Sequence, residues 1–364
     1  MGHIARTVND AFDRGERLRL LGFGAIVVLL HAVGWGLVLS QGAADPTFVG
    51  LGGLAYAFGL RHAFDADHIS AIDNTTRKLL QQGRRPIGVG FFFSLGHSTV
   101  VFLIALALGF AAKSIVEGIV GDGGAEGGLK SVGATIGTTV SGVFLILIGI
   151  LNLIIFLEIV RIFRDMRRGK HDRDSLTHEL VAGGFMTKAF GRLFKFVTES
   201  WHMYPIGFLF GLGFDTASEV ALLAISAGAA AQGLSFYAVI SLPITFAAGM
   251  SLMDTADGAF MSKAYGWAFS SPIRKVFYNL TMTGLSVFVA LFVGVVELSQ
   301  LLIDKLGLEG QPWDTIAGLD FGSLGFVIVG AFVLTWIASF AIFRLRRVEE
   351  RWEGMLRSDG AAGT

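Results

Sequence analysis

Gly59-Leu-Arg-His-Ala-Phe-Asp-Ala-Asp-His-Ile69 packs one arginine, two histidines and two aspartates into the eight residues from Arg61 to His68. The sequence on both sides is apolar enough to cross a membrane. A charge at such depth costs roughly 2.5–3.5 kcal/mol on insertion scales, so intramembrane charges are rare and mark function. Imidazole plus carboxylate is also the ligand set that suits divalent first-row metals. The stretch therefore points to a membrane-embedded chain that handles a metal ion.

Composition agrees outward from there. Of 364 residues 16% are charged, against about 25% in soluble domains, and the mean hydropathy is +0.63. Most apolar blocks reach the roughly 20 residues that a spanning helix needs. The expected fold is an all-α polytopic membrane protein. Glycine is abundant at 49 residues and proline scarce at 6, which suits helices that approach closely in a bundle. The chain has no cysteine, which excludes disulfides, thiolate metal sites and iron–sulfur clusters.

Eight spans are expected, near 20–40, 47–72, 87–110, 132–160, 204–230, 235–260, 275–303 and 320–343. Lysine and arginine set the orientation. The two tails and the loops after spans 2, 4 and 6 hold 25 of them, the alternate loops only Lys113, Lys130 and Lys305, and Arg61 lies inside a span. Both termini are thus expected in the cytoplasm, at what is called below the basic end. The domains are a tail over 1–19, spans 1–4 over 20–160, a basic loop over 161–203, spans 5–8 over 204–343 and a tail over 344–364. The first apolar run is longer than a usual signal-peptide core, so it is read as an uncleaved span. Lys188 to Thr198 interleaves basic residues and phenylalanines like an amphipathic helix on an anionic leaflet. His171 and His178 in the same loop read as ordinary solvated side chains.

Within the spans, His62, Asp65 and His68 are spaced i, i+3, i+6 and fan over about 120° of a helix. They can share one cavity, or the helix can open there. Arg61 and Asp65 stand i, i+4 and can form an ion pair, which still leaves His62, Asp67 and His68 for a metal. Phe91-Phe-Phe-Ser-Leu-Gly-His-Ser-Thr-Val-Val101 puts His97 near mid-membrane beside Ser94, Ser98 and Thr99, company that suits a ligand or its hydrogen-bonded support. In Gly211-Leu-Gly-Phe-Asp-Thr-Ala-Ser-Glu219, Asp215 and Glu219 share a helix face, and two such carboxylates repel unless a cation or proton lies between them. Ala248-Gly-Met-Ser-Leu-Met-Asp-Thr-Ala-Asp-Gly258 brings Asp254 and Asp257 near the basic end, where interfacial acids are the plainer alternative. Met250 and Met253 read as packing. His31, with Trp35 one turn on, is a further candidate near the midplane.

Depth links these pieces. His31, His97 and Asp215 each lie about 11 residues from the inner end of an outward-running span, and His62 about ten before the inner end of span 2. At about 1.5 Å per residue all four reach one height, some 15 Å in. Transporters place their sites there. His68, Asp254 and Asp257 are expected below it, on a path to the cytoplasm.

These motifs resemble those of the nickel/cobalt transporter (NiCoT) permeases. The resemblance rests on Arg61-His-Ala-Phe-Asp-Ala-Asp-His-Ile69, Phe92-Phe-Ser-Leu-Gly-His-Ser-Thr-Val-Val101, Leu212-Gly-Phe-Asp-Thr-Ala-Ser-Glu219 and Ala248 to Gly258, which together cover about residues 61–258. It implies eight spans with cytoplasmic termini and import of Ni²⁺ and Co²⁺ through the cytoplasmic membrane. It also implies that His62, Asp65, Asp67 and His68 are needed for uptake, and it links spans 1 and 2, hence His31, to the choice between the two ions. The residues alone nominate His62, Asp65, Asp67, His68 and His97 as metal ligands. Arg61, Ser98, Asp215, Glu219, Asp254, Asp257 and His31 are nominated for the pathway or as support.

No G-x-x-x-x-G-K-[ST] motif is present, so no nucleotide-binding unit and no cofactor are expected beyond the transported ion, and no nucleic-acid partner. The surroundings are a lipid bilayer. Two charges moving inward through about 100 mV release roughly 4.6 kcal/mol, enough to drive uptake with or without proton coupling. Nitrogen-rich ligation favours Ni²⁺ and Co²⁺ over Mg²⁺ and Ca²⁺. Histidine ligands must be deprotonated, so uptake should weaken below about pH 6. A related exporter and an intramembrane metalloenzyme are the competing readings, the second lacking His-Glu-x-x-His or an evident general base. Met1-Gly-His3 can chelate a metal in a plane, but a tail without function is the simpler account.

Overall fold

In chain order the helices are α1 (Arg14–Gly42), α2 (Thr47–His62), α3 (Ala66–Gln81), α4 (Val89–Phe110), α5 (Leu129–Arg167), α6 (Met203–Phe210), α7 (Phe236–Ala268), α8 (Pro272–Tyr278), α9 (Gly284–Leu306), α10 (Trp313–Ala317), α11 (Phe321–Leu345) and α12 (Val348–Glu353). A 3-10 turn over Ser200–His202 precedes α6, and a π-turn over Asn279–Thr283 joins α8 to α9. The structure is a computed structural model that describes residues 12–43, 45–110, 129–168, 197–212, 234–269 and 271–353, with Glu219, Leu222, Ile225, Ser226 and Ala229. Among the described residues all regular structure is helical, as the composition implies. Met1-Gly-His3, Lys113, His171, His178, Asp215 and most of the amphipathic Lys188–Thr198 segment lie outside them.

Among the described residues six helical runs are long and apolar enough to cross a membrane: α1, α4, α5, α7, the α8–α9 run and α11. The other two expected spans are absent from that set for different reasons. The expected fifth span begins as α6, and most of its remainder lies outside the described residues. The expected second span is broken. It does not run from 47 to 72 but stops at His62, turns through Ala63 to Asp65, and resumes as α3 as far as Gln81.

The break has a local cause. Asp65 takes an extended conformation, φ −66° and ψ 148°, at the N-cap of α3, a place that aspartate favours. Asp67 in the first turn suits the positive end of the helix dipole. Beyond the break every residue from His68 to Leu79 is buried, including Arg77 and Lys78, which charge counting puts in a cytoplasmic loop. They tolerate burial because the bundle supplies partners. Lys78 Nζ donates to the carbonyl of Val197 at 2.9 Å, and Arg77 joins a network described below.

Two helices carry the architecture. α7 packs on α1, α2, α3 and α4, while α3 touches α4, α5, α7, α9 and α11. Glycine makes the closest of these approaches possible. A Cβ on Gly59 of α2 would strike the Phe246 carbonyl of α7, and one on Gly90 of α4 would strike the Asp254 carbonyl. Both contacts fall beside the polar residues, so glycine here brings α2 and α4 within side-chain reach of α7.

α1 and α7 run antiparallel. Ser235 Oγ donates to Gln41 Oε1 at 2.7 Å at one end, and Lys263 Nζ to Glu16 Oε2 at 2.5 Å at the other. At that second end Asp13 and Glu16 form a capping box for α1. The backbone N–H of Glu16, with Arg85 nearby, holds the exposed Asp13 carboxyl below the usual carboxylate range.

Candidate metal site

The break in α2–α3 builds the site. His62 is the last residue of α2, and His68 lies in the first turn of α3. The turn folds them towards each other, so their ring centroids stand 4.6 Å apart. His97 of α4 comes within 4.8 Å of each by the same measure. All three are buried, and one ring nitrogen from each falls within 4.8 Å of the others. His68 thus lies beside His62, where an unbroken helix would separate them by a rise of about 9 Å.

Two carboxylates orient two of the rings. His62 Nδ1 lies 2.8 Å from Asp65 Oδ2, and His68 Nδ1 lies 3.2 Å from Asp254 Oδ2. A carboxylate accepts, so each Nδ1 carries the proton and each Nε2 presents its lone pair. This assignment of tautomers follows from the hydrogen-bond partners. His62 Nε2 then stands 3.1 Å from His97 Nε2. Two nitrogens about 2.1 Å from one ion, at about 90–110°, are separated by about 3.0–3.4 Å, taking zinc–imidazole distances as the guide. Glu219 Oε1 lies 2.6 Å from His97 Nε2 and 3.8 Å from His62 Nε2; by the same rule His97 Nε2 donates to it, and an ion bound there takes the place of that proton between nitrogen and carboxylate. Phe93 meets the ring of His68 edge-on at 4.7 Å, and Phe246 lies 5.6 Å from His62, so apolar walls enclose the donors.

The other nominated residues are placed variously, and Asp215 lies outside the described residues. Arg61, about one-third exposed, holds its guanidinium 3.8 Å from Asp65 Oδ1, so Asp65 serves both the arginine and His62. Asp67 is half-buried in the first turn of α3. Ser98 is buried, and its Oγ has no hydrogen-bond partner among the described residues. Ser94 and Thr99 bond instead to carbonyls one turn back, Phe91 and Leu95. Asp257 lies one turn beyond Asp254 on α7, half-buried. His31 stands apart from the three histidines: its Nδ1 bonds the Val27 carbonyl at 2.8 Å and its Nε2 the Tyr56 hydroxyl at 3.2 Å. Met250 is packed in the core, as its type suggests.

A second buried polar cluster escaped the sequence reading. Asp73 and Arg77 of α3, Tyr265 of α7, Ser286 of α9 and Asn279 and Thr283 of the π-turn join in one network. The signal was present: Ile69, Ile72 and Leu79 continue the helical apolar spacing past residue 72, which places Asp73 and Arg77 one turn apart on the same helix.

Residues 48–342 match the family model for high-affinity nickel-transport proteins, NicO. The chain is 51% identical to the nickel transporter NicT of Mycobacterium tuberculosis, over 95% of this chain and 94% of that protein. It is 49% identical to the nickel transporter NixA of Staphylococcus aureus, over 93% and 98% respectively. The cobalt transport protein NhlF of Rhodococcus rhodochrous is 40% identical, over 93% and 96%. No solved structure matches the chain.

Proposed function

The chain belongs to the high-affinity nickel-transport family, a family of multi-pass membrane transporters and not of enzymes, and from that premise we propose that it imports Ni²⁺, with Co²⁺ as a second substrate, across the cytoplasmic membrane. The observation that carries this reading is the convergence of three buried imidazoles, two of them held at Nδ1 by carboxylates so that Nε2 is left for an ion. His62, His68 and His97 replace the water of the arriving ion, and Glu219 adds an oxygen ligand and a negative charge. Asp65 and Asp254 hold the rings and raise their basicity, a supporting role worth about 10–100-fold in metal affinity. The C-terminal end of α2 also faces the site, and its helix dipole favours a cation there.

Nitrogen donors discriminate against Mg²⁺ and Ca²⁺. The kinship with both nickel and cobalt transport proteins supports a site that accepts either ion. The membrane potential is sufficient to drive the divalent ion inward.

The test is uptake of ⁶³Ni²⁺ and ⁵⁷Co²⁺ into proteoliposomes, with potential and pH gradients imposed separately. Wild type should accumulate both ions when the interior is negative, and His62→Ala and His68→Ala, at equal protein, should not. Accumulation that ignores both substitutions sinks the site. Loss of ion from whole cells on expression reverses the direction to export.

A further inference from the structure

We propose that Arg77 is the inner gate of the transport path, its guanidinium barring the way between the histidine cluster and the basic end until it leaves Asp73. The inference rests on the transport reading of the histidine site.

Position comes first. The histidine cluster is tied across α3 and α7 by His68 and Asp254. Towards the basic end α7 carries Asp257 one turn past Asp254, and α3 carries Asp73, so carboxylates on both helices follow the imidazoles in that direction. Such carboxylates attract a divalent cation. Arg77 follows Asp73 one turn further along α3. The neighbouring Tyr265 is two residues past Lys263, which bonds Glu16 at the start of α1, so the arginine lies where the bundle meets its basic end.

The arginine is held loosely for a buried charge. Arg77 is wholly buried. Its Nη1 donates to Thr283 Oγ1 at 3.2 Å, its Cζ lies 3.9 Å over the Tyr265 ring, and its Nη2 is 3.5 Å from Asp73 Oδ1. Nε and Nη2 have no hydrogen-bond acceptor among the described residues. A structural staple of this kind is usually bidentate, with two short parallel bonds to one carboxylate. Here the Asp73 oxygens are taken by the hydroxyls of Tyr265 and Ser286 instead. The pair is close enough to block and too weakly tied to lock.

A π-turn flanks the arginine. Thr283 ends the π-turn, and Asn279 begins it, accepting from Gln81 Nε2 at 2.9 Å and from Thr283 Oγ1 at 2.8 Å. Such wide turns recur at functional sites. A guanidinium in this low-dielectric place repels a divalent ion. An ion that reaches Asp257 competes for Asp73 and loosens the arginine's hold. Arrival of the cargo and opening of the exit are then one exchange of partners on Asp73.

The chain has no native cysteine, so Asp257→Cys gives a single thiol between cluster and gate. A membrane-impermeant thiol reagent is applied to metal-free protein in vesicles, from each face in turn. Labelling from the basic face should be slow, and Arg77→Gln should speed it by about tenfold or more from that face alone. Arg77→Lys, which keeps a cation, should restore slow labelling. An unchanged rate in Arg77→Gln, or equal acceleration from both faces, overturns the gate, the second by revealing general loosening. Should Arg77→Gln not fold, Thr283→Val removes only the guanidinium's hydroxyl partner, and about threefold faster labelling is expected; no change there overturns the proposal as well. Labelling uses no metal, so its failure leaves the uptake test standing, and failed uptake leaves the labelling result standing.

Discussion

The histidine cluster and the arginine cluster share two helices, α3 and α7, and handle burial in opposite ways. Around His62, His68 and His97 the carboxylates Asp65, Asp254 and Glu219 face imidazoles, groups that can give a lone pair to an ion. Around Asp73 the partners are donors: two hydroxyls and a guanidinium. The first set is a shell of ligands for a nitrogen-preferring cation. The second has its cation built in. The difference teaches that buried polarity alone does not identify a metal site; what matters is whether the protein closes the charge balance itself.

The largest effect expected from this contrast is at His97. His97→Ala removes a central donor and should weaken Ni²⁺ binding by more than about 100-fold, beyond the range for a merely supporting residue. The metal-free protein should also lose about 1–3 kcal/mol of stability, because the buried Glu219 loses its partner and a cavity is left. Ser286→Ala in the second cluster should cost about 1 kcal/mol of stability by removing a hydrogen bond to Asp73, with Ni²⁺ affinity kept. Equilibrium ⁶³Ni²⁺ binding and thermal unfolding of purified protein read both. If His97→Ala destabilises the apo protein and leaves affinity intact, the two clusters do not differ as described.

Asp65 comes next. Its carboxylate holds His62 and shares a charge with Arg61. Asp65→Ala should lower Ni²⁺ affinity by about 10–100-fold, the range for residues that orient a ligand. Asp65→Asn should lose less, because an amide oxygen can still accept from Nδ1. Equal losses for the two variants would make the charge, and not the orientation, its contribution, and would move Asp65 among the ligands.

How legible these regions were in the sequence follows from the same contrast. The helical class and the three histidines could be read, because charges in apolar runs stand out. Helix spacing paired Glu219 with Asp215 and Asp254 with Asp257, but did not show that Glu219 and Asp254 meet the histidines. The nearness of His68 to His62 could not be read, because an ideal helix separates them by a rise of about 9 Å and the turn at Ala63–Asp65 folds the rings to 4.6 Å between centroids. Arg77 and Asp73 were hidden for another reason. The stretch Asp73-Asn-Thr-Thr-Arg-Lys78 is polar enough to look like a loop. It is buried because Tyr265, Ser286, Thr283 and Val197, all more than 100 residues away in sequence, turn polar groups towards it. Hydropathy sees a segment's own polarity and not the partners that the fold supplies.

The smallest effect should come from the one histidine that the fold keeps out of the cluster. His31 was placed at the site's height by the same depth count, and the resemblance to nickel/cobalt permeases tied it to ion preference. The structure lodges it between Val27 and Tyr56, with Tyr56 also beside Trp35 at 5.6 Å between ring centroids. Tyr56 lies on α2, and Gly249 of α7 sits against its carbonyl and the amide of Leu60, two residues before His62. Any influence of His31 on the metal therefore passes through the seating of α2 on α7, as a shift in the position of the His62 ring. Tyr56→Phe removes one hydroxyl, whose net contribution is of the order of 1 kcal/mol. It should change Ni²⁺ uptake by no more than a few-fold, and the ratio of ⁶³Ni²⁺ to ⁵⁷Co²⁺ uptake should shift more than either rate, since two ions of like charge differ mainly in the ligand geometry that they accept. A loss as deep as that of His97→Ala would place Tyr56 and His31 in contact with the ion along its route, and the separation drawn here between the cluster and its flank would fail.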